Sequence, residues 1–216
     1  MSPAVRLPRP LVAAGALVFL VAAGLVLLMV VRPSSASPSA GSGASATAPA
    51  EDSADVGFAR DMSVHHQQAV EMAFLVRDRS KDEDVRRLAY DIINTQANQR
   101  GMMLGWLESW GRPKSSERAP MEWMDHPVTA DDGSLMPGMA TDTELDALRA
   151  AEGGDAEIRF LRLMTVHHRA GADMARAAAA AAGTDEIRNL AAGMARAQES
   201  EISLMADMLK ARGARP

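Results

Sequence analysis

Two histidine pairs, His65-His66 and His167-His168, stand 102 residues apart, and each is bracketed by methionines: Met62 and Met72 around the first, Met164 and Met174 around the second. An unprotonated imidazole nitrogen and a thioether sulfur are both ligands for a soft ion. The chain has no cysteine, so it offers no thiolate site, thiolate nucleophile or disulfide. Imidazole with thioether, and few carboxylates alongside, selects copper, Cu(I) above all, over zinc, iron, calcium or magnesium. A di-iron bundle would carry Glu-x-x-His in each of two helices, and no Glu or Asp lies three residues before any of these four histidines.

The pairs belong to one long repeat. Phe58, Arg60, Met62, Val64, His65, His66, Met72 and Ala73 recur as Phe160, Arg162, Met164, Val166, His167, His168, Met174 and Ala175. The same offset carries Gln96 onto Gln198, Gln99 onto Glu201 and Met103 onto Met205. On a helical wheel Phe58, Met62, His65, His66, Ala69, Met72 and Ala73 share a stripe about 120° wide, as do their repeat mates, so the histidines are expected to face a core. The partner helices direct Gln96, Gln99 and Met103, with Gln198, Glu201 and Met205, at the same interior. A buried imidazole left without a partner costs about 1–3 kcal/mol per unsatisfied nitrogen. A metal at one nitrogen and an amide or carboxylate at the other would satisfy the ring. Met62 with His66, and Met164 with His168, are four apart and stack along the helix, which makes these pairs the expected nucleus of the sites. Adjacent histidines diverge by about 100° and need not share an ion. A second soft-ligand group, Met121, Met124, His126, Met136 and Met139, falls between the repeats and reads equally as accessory ligands or as an apolar lid.

Elements of helical period must position these groups, since strand signals are nearly absent. Helices are expected from about Asp55 to Arg79, and from a capping box at Ser80-Lys-Asp-Glu83 to about Trp110, stopped by Gly111. The second repeat gives helices from about Asp155 to Ala182 and from Asp185 to Ala211, with Thr184 as N-cap and Gly213 as stop. Between the repeats, residues 111–154 form a connector in which Thr141-Asp-Thr-Glu144 caps one short helix ending at Gly153-Gly154. Two hairpins with one apolar stripe each bury those stripes against each other. The fold class is therefore all-α, an antiparallel four-helix bundle of two repeated hairpins over residues 55–216.

Residues 11–31 are an uninterrupted uncharged run that would rise about 31 Å as a helix, enough to cross a bilayer. Arg6 and Arg9 precede it, which keeps residues 1–10 in the cytoplasm and exports the rest. Arg32 directly behind the run favours a retained anchor over a cleaved signal segment, and cleavage would make the protein secreted. Residues 32–54 are mainly Ser, Ala, Pro and Gly, a flexible linker. All 28 acidic residues lie from Glu51 onward with 20 of the 23 basic ones, so the exported part carries a formal charge of −8. Such a surface argues against a nucleic-acid partner.

The segments Asp61-Met62-Ser-Val-His65-His66-Gln-Gln-Ala-Val-Glu-Met72-Ala73, Met136-Pro-Gly-Met139, and Met164-Thr-Val-His167-His168-Arg-Ala-Gly-Ala-Asp-Met174-Ala175 resemble the bacterial family called domain of unknown function 305. The likeness spans about residues 55–211. It implies a ferritin-like four-helix bundle, exported or membrane-tethered, in a family some of whose members are linked to copper binding and copper resistance. By the resemblance Met62, His65, His66, Met72, Met164, His167, His168 and Met174 fall on motif positions. Gln67-Gln68 of the first motif is replaced by Arg169-Ala170 in the second, so the two sites need not be equivalent.

The expected function is extracytoplasmic, membrane-tethered copper binding for sequestration or transfer, without turnover, in exchange with a copper-donating or copper-accepting envelope protein. The alternatives are a metal-dependent redox enzyme and a metal-free interaction or envelope-sensing module.

Overall fold

The computed structural model describes residues 47–124, 130 and 133–215. The expected cytoplasmic segment 1–10, the anchor 11–31, the linker up to residue 46 and His126 lie outside the described residues. No described helix is long and apolar enough to cross a membrane.

The described residues form five helices and no strands: α1 Ala54–Arg79, α2 Glu83–Ser109, α3 Asp142–Ala150, α4 Gly153–Ala181 and α5 Asp185–Ala211. Four of these five helices start at a side-chain cap. Ser53 accepts from Val56 N at the head of α1, Thr184 from Ile187 N at the head of α5, and Thr141 with Glu144 closes a full capping box on α3. The ends of α2 and α5 are repeat mates. Gly111 (φ +65°) and Gly213 (φ +66°) take the left-handed conformation, and the amides of Arg112 and Ala214 reach back to the carbonyls of Leu107 and Leu209. Glycine enters that region without a Cβ penalty and lets the last carbonyls be satisfied.

Two expected boundaries differ. The cap of α2 is Asp82, whose carboxylate accepts from Asp84 N and Val85 N, and no Ser80–Glu83 capping box forms. A carboxylate next to the helix start is favoured by the helix dipole, and the Ser80 hydroxyl is engaged elsewhere, donating to Glu157 Oε1 at 2.7 Å. Gly153-Gly154 opens α4 rather than ending α3, which stops at Ala150. Gly153 at φ +52° supplies the sharp change of direction between the two helices.

Helices α1 and α2 form one hairpin and α4 and α5 the other, and the hairpins meet through α1 and α4. Two buried carboxylates fix α1 and α4 antiparallel. Asp55, at the start of α1, accepts from Gly183 N and Thr184 N, both at 2.8 Å, and from the Thr184 hydroxyl, at the far end of α4. Its repeat mate Glu157, at the start of α4, accepts from Ser80 beyond the end of α1 and from Arg212 Nε. The molecule therefore has an approximate internal two-fold. Buried small residues on α1 and α4, Ala69, Ala73, Gly171, Ala172, Ala175 and Ala178, leave room for helix backbones to come close.

Side chains of α1 hold the connector, Arg60 Nε donating to Pro113 O at 2.7 Å among them. Gln68 donates to Ala140 O at 2.8 Å and accepts from Ala140 N at 2.6 Å, while Asp61 accepts from Met121 N and from the Trp123 indole. Trp123 packs edge-on against Phe58 over Gly57, where any Cβ would lie 2.2 Å from the indole.

Candidate metal centre

The stripe read from the sequence faces inward in full. Phe58, Met62, His65, His66, Ala69, Met72 and Ala73, with Phe160, Met164, His167, His168, Met174 and Ala175, are all completely buried. The four histidines sit midway along the bundle, between two apolar clusters.

At one end Met62, Met103 and Met174 pack with Val56, Phe58 and Leu107. At the other, Met164, Met205 and Met72 pack with Phe160, Ile92 and Leu209. These two methionine triplets are related by the internal two-fold, and each draws on both repeats. Met121, Met136 and Met139 of the connector are buried in the first cluster, with Met194 of α5, and the half-buried Met124 packs against it. Three connector methionines predicted as accessory ligands or lid therefore close the first end. The second end is covered by Leu145 and Leu148 of α3 and by Met208. Met194 and Met208 were not singled out as candidates in the sequence. Both are methionines on the inward face of α5, and that signal could have found them.

On the two-fold itself His65 and His167 stack, with ring centroids 3.7 Å apart and planes at 30°. The arrangement is not symmetric. His167 Nε2 lies 3.0 Å from the carbonyl oxygen of His65, whereas neither nitrogen of His65 has a hydrogen-bond partner. Gly171 makes room here, since a Cβ would fall 2.4 Å from Gln198 Oε1 and 3.1 Å from His65 Cε1.

The outer rings reach the partner helices. His66 Nε2 lies 2.9 Å from Gln99 Oε1, and His168 Nε2 lies 2.6 Å from Glu201 Oε2. Gln96 and Gln198 are buried as expected, but Gln99 and Glu201 are only half-buried and stand at the rim rather than inside. They lie three residues beyond the fully inward Gln96 and Gln198, so the helix turns them toward solvent, and their long side chains bridge back to the rings.

A carbonyl or carboxylate oxygen can only accept, so His167 and His168 donate from Nε2, and His66 does the same toward the Gln99 oxygen. A neutral ring that donates from Nε2 keeps a lone pair on Nδ1. All four Nδ1 atoms are buried without a hydrogen-bond partner, as is Nε2 of His65. Desolvation pushes His65 and His167 well below the usual histidine range and His66 down to about 4, so these rings are neutral at physiological pH. Neutral imidazole is the ligating form. Asp61, which anchors the connector, has its pKa raised by burial, against the lowering effect of its hydrogen bonds to Met121 and Trp123.

Among the described residues no three His, Asp or Glu side chains converge to hold a metal. A cleft of about 790 Å³ opens between α1, α2 and the connector, lined by Arg60, Gln68, Arg100, Lys114, Met139 and Leu145 among others, and none of the four histidines borders it. Met139 lies both in its wall and in the first methionine cluster.

A helical bundle that buries two histidine pairs between methionine clusters defines a class, and the comparisons give it a family. The profile of the domain of unknown function DUF305 matches residues 55–209, and the chain belongs to that family. Among solved structures, a DUF305 protein of Streptomyces coelicolor described as secreted is 57% identical, with a TM-score of 0.71 over 77% of this chain and 98% of its own. A DUF305 fragment of Deinococcus radiodurans is 31% identical, with a TM-score of 0.62 over 73% and 95%. CopM in its Cu(I)-bound form is 25% identical, with a TM-score of 0.57 over 72% and 95%. Its Cu(II)-bound form is also 25% identical, with a TM-score of 0.59 over 73% and 95%. No curated protein matches the chain.

Proposed function

We propose that the protein binds copper, as Cu(I), in the bundle interior and holds it for sequestration or transfer outside the cytoplasm. The observation that carries this reading is the set of five buried imidazole nitrogens without hydrogen-bond partners, enclosed between two methionine triplets. Left bare, such nitrogens destabilise the fold, and a soft ion would relieve them. The copper-bound forms of CopM, a relative in fold and sequence, support it. Met62 with His66 and Met164 with His168 are the nucleus. His65, His167, Met72, Met103, Met174 and Met205 complete the donor set, with Gln99 and Glu201 orienting the outer rings and the buried Gln96 and Gln198 offering further polar groups behind them. Copper is cargo here, and no turnover is assigned. Residues 11–31 would tether the domain to the membrane, and the secreted description of the Streptomyces relative supports the placement of the bundle outside the cytoplasm. An envelope protein would then give or receive the ion.

The test is titration of the full chain with Cu(I) against a competing chelator. Replacing Met62 and Met164 by Leu keeps the apolar packing and removes two sulfurs. The expected result is chelator-resistant binding by the native protein and at least a tenfold loss of affinity in the double variant. Native protein that cannot outcompete the chelator, or affinity unchanged by the double substitution, overturns the proposal. Failure to bind at all would leave the histidines as a metal-free polar core.

A further inference from the structure

At the level of the repeat the two half-sites carry the same rings and the same methionine triplets, but the group behind the outer ring differs by one charge. Each end of the bundle holds a two-fold-related methionine triplet, so sulfur supply does not separate them at the level of the repeat. What differs is the group behind the outer ring: the neutral amide of Gln99 at His66, the carboxylate of Glu201 at His168.

Three consequences of that exchange act in one direction. First, a carboxylate only accepts, so a neutral His168 is held in the tautomer that leaves the Nδ1 lone pair free. Gln99 can turn its amide to offer either an oxygen or an NH₂, and so allows either tautomer of His66. Second, a carboxylate accepting the Nε2 proton makes the opposite nitrogen a more basic ligand. Third, a cation entering a buried site leaves water behind, and a negative charge 2.6 Å from the ligating ring offsets part of that cost. At His66 no charge does so.

We propose that Glu201 sets the order of filling, so that the half-site built on His168 takes Cu(I) before the half-site built on His66. Glu201 is a positioning residue, acting through His168 from a half-buried place at the rim. The connector methionines, all at the other end, add donors there without adding charge. The inference rests on the copper-binding reading above.

The experiment compares the full-length native chain with Glu201→Gln and Gln99→Glu. Cu(I) is titrated against a competing chelator, and ¹⁵N-histidine spectra of the metal-free proteins report the tautomers. The native chain is expected to show two classes of bound Cu(I). Glu201→Gln should weaken the tighter class by about 10–100-fold, the usual size of an effect on the group behind a ligating ring, while the number of ions bound is kept. Gln99→Glu should strengthen the weaker class toward the tighter one. In Glu201→Gln the His168 ring should also lose its single fixed tautomer, a change that a merely structural role for Glu201 would not produce. Circular dichroism melting confirms that each variant is folded. Equal classes in the native chain, or a Glu201→Gln titration that overlays the native one, overturns the assignment of Glu201 while copper binding itself stands. Absence of binding in the native chain removes both.

Discussion

At the scale of single residues, two glycines decide whether the interior can be assembled. Gly57 lies under the indole of Trp123, and a Cβ there would come within 2.7 Å of the tryptophan Cβ as well as its ring, so the side chain cannot evade the clash by turning at its tip. Gly57→Ala raises helix propensity by about 1 kcal/mol in isolation. Displacement of Trp123, which would lose the Asp61 hydrogen bond and the Phe58 contact, is expected to outweigh that gain. The expected result is a red-shifted tryptophan emission and faster proteolysis of the connector with the bundle helicity kept. Gly57 carried no signal in the sequence, because a glycine within an amphipathic helix reads only as a weak point until the group lying on it is known. The histidines were legible for the opposite reason: a repeated pair at helical register with methionine fixes which face is inward whatever packs against it.

At the scale of elements, the helices were legible because period, caps and stop glycines agreed, as at Thr141–Glu144 and at Gly111 and Gly213. What was not legible was competition for a polar group from a distant element. Ser80 reads as a cap by spacing, yet its hydroxyl goes to Glu157, 77 residues away in the chain. Asp55 and Glu157 likewise read as acidic residues near helix starts, and nothing local shows that each ties its own helix to the loop of the other hairpin. Removing such a tie takes a charged acceptor away from donors that stand at the edge of the bundle. Asp55→Ala should therefore lower stability by about 1–3 kcal/mol, measured by urea unfolding, because the amides of Gly183 and Thr184 and the Thr184 hydroxyl lose their carboxylate partner together. Asp55→Asn, which can still accept, should recover part of the loss. Equal stability of the native chain and Asp55→Ala would show that the ties do not hold the hairpins.

For the molecule as a whole, the buried rings couple folding to protons. His65, His66 and His167 have folded-state pKa values below that of an exposed histidine, about 6.5, with His66 at about 4. Between those limits the unfolded chain binds more protons than the folded one, so stability rises with pH through that window. It is complete above about pH 6.5 and is lost as pH falls toward 4. The metal-free protein should show a melting temperature that drops steeply from pH 7 to pH 4.5, and copper should raise the melting temperature most near neutral pH, where the rings are free to ligate. A melting temperature flat across that range would mean the rings are hydrated or already paired. The inward His and Met side chains were legible in the sequence, but not their arrangement as two triplets that each mix both repeats, since that depends on how the hairpins cross. One detail of that crossing shows what duplication within a single chain permits. The bond from His167 to the His65 carbonyl has no counterpart in the other direction, and beside it Gly171 stands where its mate is Ala69. Two identical hairpins meeting as a homodimer would need the same residue on both sides of the axis and would have to break their own symmetry to form such a bond. Covalent fusion releases each copy from that constraint, so the center of the bundle can evolve as two unlike halves.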